Sequence, residues 1–143
     1  MMEVSRASKI VGGLFALTGV LGLAILVSDK NLWKFAPTHA YGLIVFVIID
    51  FVVAAYIVAK PSKLFFMVAL AWSSIRILLQ LADISSGPDF GFSTSDFANY
   101  LFNPVATYPP NPPSVPGALI DLIIVLEFIV IWVAWSARSS AQK

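Results

Sequence analysis

Three charged residues, Asp50, Arg76 and Glu127, stand in stretches that are otherwise apolar enough to cross a bilayer. A charge at the centre of a lone membrane helix costs between about 2.5 and 17 kcal/mol, so such residues turn toward other helices and find partners. These three suit one another. A guanidinium carries forked donors that bridge two carboxylates well. Two acids and one base leave one negative charge, which is too costly to bury bare. Either one carboxylate keeps its proton or a further cation joins the group. The chemistry on offer is a structural charge clamp, or the binding of a proton or cation near the membrane midplane, where carriers place their sites.

Arg76 also has polar company on its own helix. At 100° per residue, Ser73, Arg76, Gln80 and Asp83 fall within roughly 80° of one another and make a polar stripe along one face. Asp121, near the start of the last apolar block, is a further supporting polar residue.

Catalysis by this chain alone is not expected, for chemical reasons. The sequence has no cysteine and a single histidine, and it lacks the HExxH, P-loop and glycine-rich dinucleotide motifs. Neither a metal centre nor a nucleophile with its base can be assembled from that set, so neither metal nor cofactor is expected. Bis-histidine haem would need a second histidine. His39, at a helix entrance, reads as an interfacial or capping residue.

The elements that must position these residues follow from composition and hydropathy. The chain of 143 residues is 59% hydrophobic and only 12% charged, with a mean hydropathy of +0.87; soluble domains carry about 25% charged residues. It therefore belongs to the membrane class. The apolar content predicts helices over about 10–28, 41–60, 63–84 and 117–137, each near the roughly 20 residues that cross about 30 Å of hydrocarbon. The expected fold is all-α: a single transmembrane domain, a four-helix bundle with a long extracytoplasmic loop, 85–116, between the third and fourth helices. The short turn Lys60-Pro61-Ser62-Lys63 makes the second and third helices antiparallel neighbours. Asp50, Arg76 and Glu127 then lie about 8 to 10 residues from the outer ends of their helices, roughly 12–15 Å deep at 1.5 Å per residue. They are level, as a shared site requires.

Positive charge sets the orientation. Arg6, Lys9, Lys60, Lys63, Arg138 and Lys143 fall on one side, and only Lys30 and Lys34 on the other. The positive-inside rule puts both termini and the Lys60 turn in the cytoplasm of a multi-pass cell-membrane protein. The first apolar block, Ile10 to Val27, exceeds the 7–15 residues of a signal-peptide core and is expected to be retained. Gly12, Ala16 and Gly19 share one of its faces, a small-residue pattern that lets helices approach closely, within the bundle or against another subunit.

The outer loop is the other unusual stretch. Ser93-Thr94-Ser95 can cap a short helix from Asp96 that carries Phe97, Tyr100 and Leu101. Tyr108 to Pro116 is so rich in proline that extended, polyproline-like chain is expected. Phe97, Tyr100, Tyr108, Pro110 and Pro113 make this loop either a stiff strap or a docking surface for a partner.

The net charge of +1 and the lack of a basic cluster argue against nucleic acid, so the expected surroundings are lipid bilayer and other integral-membrane subunits. Two functions fit. One is a non-catalytic accessory or assembly subunit of a larger integral-membrane complex, of the energy-converting or oxidising kind. The other is a small proton- or cation-coupled transporter or channel that uses buried carboxylates near the midplane.

Overall fold

The computed structural model describes residues 3–28, 30–35, 37–85, 107–110 and 113–138. In chain order the elements are α1 (Val4–Ser28), α2 (Lys30–Phe35), α3 (Pro37–Ala59), α4 (Lys63–Ser85), β1 (Thr107–Pro110), β2 (Pro113–Pro116) and α5 (Gly117–Arg138). The class is all-helical. Three helical stretches, Val4–Ser28, Pro37–Ala59 and Lys63–Ala82, are long and apolar enough to cross a bilayer, the mark of a membrane protein in contact with lipid. The 22-residue α5 packs along α4 and α1.

Local chemistry explains where the helices begin. α1 starts at Val4, earlier than the expected Ile10, because its first turns are already tied in. Ser8 Oγ donates to the Ser5 carbonyl at 2.9 Å, and Ala7 is fully buried in the core. α3 starts at Pro37, where a proline at the first helical position has no N–H to leave unsatisfied. The stretch before it, expected to be a plain loop, holds α2. Trp33 Nε1 donates to the Leu26 carbonyl at 2.8 Å, satisfying an end group of α1, and its ring meets Tyr41 edge-on at 6.0 Å. Ser62 Oγ accepts from the Phe65 N–H at 3.4 Å in the manner of an N-cap for α4.

The proline-rich segment departs from expectation. It is extended, but β1 and β2 pair with each other as an antiparallel ribbon, Thr107 opposite Pro116 and Tyr108 opposite Val115. Proline is tolerated because both strands of a two-stranded ribbon are edges, where missing N–H groups can face outward. β2 lies against α2 and leads into α5.

Glycines decide the closest helix pairing. α1 runs antiparallel to α3, and a Cβ at Gly12 would stand 2.4 Å from Val58 Cγ2 and 3.2 Å from the Ala54 carbonyl oxygen. Gly19 sits against the Phe51 ring and Gly22 against Val47. The small-residue face of α1 is thus occupied by the chain's own α3. The short turn makes α3 and α4 neighbours, as expected, but their backbones stay farther apart than those of α1 and α3. Large side chains hold the space. Tyr56 stacks on Phe65 with centroids 5.6 Å apart, and Phe46 meets Trp72 edge-on at 5.6 Å.

The apolar core is divided. One cluster joins Val11 and Phe15 of α1, Ile57 of α3, Phe66 of α4 and Val130 of α5. Two smaller ones, Ile25 with Ile123 and Leu26 with Ala40 and Val47, lie nearer the other ends of α1, α3 and α5. Between them, at Thr18, Asp50, Ser73, Arg76 and Glu127, the interior is polar. Large apolar side chains such as Leu64, Leu78 and Trp132 point outward, as a lipid-facing surface requires.

Candidate functional site

Each of the four long helices contributes a side chain to one sealed group. Arg76 is 1% exposed, and Thr18, Asp50, Ser73 and Glu127 are each 0% exposed. Asp50 comes from α3, Arg76 and Ser73 from α4, Glu127 from α5 and Thr18 from α1. The helical period places Trp72, Ser73, Arg76 and Gln80 on successive turns of one α4 face, so a single rotation of α4 aims them all inward.

Asp50 is held by three donors. Its Oδ1 accepts from Trp72 Nε1 at 2.9 Å, and its Oδ2 accepts from Thr18 Oγ1 at 2.9 Å and from Arg76 Nη1. Thr18 Oγ1 is also 2.9 Å from the Phe15 carbonyl of its own helix, so its one proton is shared between the two acceptors. The guanidinium carbon of Arg76 stands 5.5 Å from the centre of the Phe46 ring, within cation–π range. Arg76 Nη1 is also 2.9 Å from Glu127 Oε1. The expected fork, with separate nitrogens reaching the two acids, is therefore not what forms. One nitrogen serves both carboxylates, and its well-directed bond goes to Asp50.

That choice leaves several buried atoms without a hydrogen bond: Arg76 Nε, Ser73 Oγ, Gln80 Oε1 and both carboxyl oxygens of Glu127. The Ser73 hydroxyl interacts with the Glu127 carboxyl, but not at hydrogen-bond geometry. The two acids are unlike in consequence. Asp50 accepts from three donors, and Glu127 has an ion-pair contact with Arg76 and a looser one with Ser73.

Of the other residues singled out from the sequence, Gly12, Ala16 and Gly19 lie on the α1 face that meets the core and α3. Asp83 is in the last turn of α4 and Asp121 in the second turn of α5, and both side chains lie outside the described ones. Phe97 and Tyr100 lie outside the described residues, and Tyr108, Pro110 and Pro113 belong to the β ribbon, with their side chains again outside the description. His39 is exposed, its Nδ1 3.5 Å from Thr38 Oγ1. Among the described residues, no three His, Cys, Asp or Glu converge on a point where a metal ion could sit.

Two members of the cluster escaped the sequence reading. Thr18 is the one hydroxyl residue within Ile10 to Val27, and Trp72 stands one turn before Arg76 on the same face. Those positions were the available signals.

The arrangement can do two things. It can lock the rotation and register of four helices through one ionic centre, and it can hold a proton on the under-bonded acid. Comparison with protein-family models, curated proteins and solved structures finds no match to this chain.

Proposed function

We propose that this chain is a non-catalytic accessory or assembly subunit of a larger integral-membrane complex. In this reading α5 completes a four-helix membrane bundle, both ends of the chain and the Lys60 turn lie in the cytoplasm, and the segment between α4 and α5 faces outward. The observation that carries it is the sealed cluster. Thr18, Asp50, Arg76 and Glu127 meet in one interior group, with Asp50 bonded to Thr18 and Arg76, between apolar clusters and away from any surface. A buried ionic group of this kind fixes which helix faces meet more than it adds stability, since in-membrane polar contacts average about 0.6 kcal/mol. A rigid bundle with lipid-facing flanks and a proline-rich outer ribbon suits a scaffold that other subunits build upon. Native-gel separation after extraction in mild detergent tests this directly. Migration with other integral-membrane proteins is expected, and migration only with copies of itself overturns it.

A second reading has its own observation. Glu127 is fully buried yet has no hydrogen bond to either oxygen, as a carboxyl that gains and loses a proton in a carrier could be. Proton flux through liposomes that contain only this chain would favour it.

A further inference from the structure

We propose that Glu127 is a proton-binding site, and that the resting cluster is a neutral set of ionised Asp50, charged Arg76 and a Glu127 carboxylic acid whose O–H is directed to Ser73 Oγ. The proposal is independent of whether the chain acts as a subunit or as a carrier, because it concerns the resting occupancy of the cluster alone.

Hydrogen-bond supply distinguishes the two acids. Asp50 receives Trp72 Nε1, Thr18 Oγ1 and Arg76 Nη1, three donors on a group that only accepts when ionised. A proton on Asp50 would weaken all three bonds and remove the charge that pairs with Arg76. Glu127 is the opposite case, with no donor well directed at either oxygen. Its neighbour Ser73 is 0% exposed and likewise lacks a partner for Oγ. A proton on the Glu127 carboxyl gives this pair a second donor beside the Ser73 hydroxyl, and Ser73 Oγ, an acceptor as well as a donor, can take it. Gln80 Oε1, two turns beyond Ser73 on the same α4 face, is a second unpartnered acceptor.

Charge gives the same answer. The groups that interact with Glu127 are Arg76 from α4 and Asp50 from α3. The charged side chains of α1, Arg6 and Lys9, are in its first two turns and exposed, far along the helix from Thr18. Asp50 and Arg76 cancel, so an ionised Glu127 would leave one uncompensated negative charge in a site with no water-facing surface. One proton removes it. A metal cation is the poorer occupant, because Arg76 Nη1 already stands 2.9 Å from Glu127 Oε1 and would repel it.

Infrared spectroscopy of the full chain in lipid nanodiscs at neutral pH reads the proton directly. A protonated carboxylic acid gives a C=O stretching band above the amide bands that shifts down in D₂O. The band should be present, should move when the protein is labelled with ¹³C-glutamate, and should stay in place with ¹³C-aspartate. The chain has two glutamates, and Glu3 is exposed to solvent, so the glutamate shift identifies Glu127. Glu127→Gln should lose the band, and Asp50→Asn should lose it too, because Glu127 is then the acid left to balance Arg76. Absence of the band from the unaltered protein, or its movement with labelled aspartate, overturns the proposal. The labelling arms use the unaltered protein, so the outcome does not depend on either variant folding.

Discussion

Replacing Arg76 by leucine is the sharpest perturbation of this molecule. If Arg76 contributed only its contacts, the loss would be one hydrogen bond to Asp50, one ion-pair contact to Glu127 and the approach to the Phe46 ring, about 1–2 kcal/mol at the strengths measured between membrane helices. The structure predicts more. Arg76 is the only cation in the cluster and is 1% exposed, so its removal strands negative charge, and breaking a buried pair from one side costs about 3–5 kcal/mol. At 1.4 kcal/mol per factor of ten, that is a shift of roughly 10²- to 4 × 10³-fold toward the unfolded state. The stranded charge is that of Asp50, which would retain Trp72 and Thr18 as donors but lose its counter-ion. Adding Asp50→Asn and Glu127→Gln to Arg76→Leu leaves no carboxylate to carry the stranded charge and should recover most of the loss, to within about 1–2 kcal/mol of the natural protein. Reversible unfolding in mixed micelles, followed by the fluorescence of Trp72 and its fellow tryptophans, measures all three variants. A loss below about 1 kcal/mol for Arg76→Leu alone, or no recovery in the triple variant, would refute the shared-charge argument.

Two further predictions rest on other parts of the fold. Gly12→Ala should destabilise by about 1–3 kcal/mol in the same assay, because its Cβ would meet Val58 Cγ2 at 2.4 Å and the Ala54 carbonyl oxygen at 3.2 Å, and a helical valine has little χ1 freedom with which to yield. Gly13→Ala, with nothing within 4 Å, should be neutral or stabilising by up to about 1 kcal/mol; equal losses at the two sites would show that α1 does not pack on α3 in this way. For the proposed topology, a reporter active only in the cytoplasm and fused at Ser139 should be active, and an inactive fusion in a stably expressed protein would reverse the orientation.

The sequence by itself determined the membrane character and the residues that had to meet. Hydropathy summed over about 20 residues is a local property, so stretches such as Pro37–Ala59 are legible before any packing is known. The cost of a lone charge in hydrocarbon then requires Asp50, Arg76 and Glu127 to find one another, and the rise per residue puts them at one depth. Which faces are buried was not legible. Along α3, Val47 and Val53 are buried while Ile48 and Val52 are exposed, and all four are equally apolar. Lipid tails and helix neighbours look alike to such a side chain, so hydrophobicity carries no signal that tells them apart. Only the tertiary structure decided that α3 packs most closely on α1, that aromatic rings separate α3 from α4, and that the proline-rich chain pairs with itself. The same holds for the division of labour within the cluster. Thr18 and Trp72 are far from Asp50 in sequence, and it is their arrival from α1 and α4 that supplies one acid with donors and leaves Glu127 wanting one.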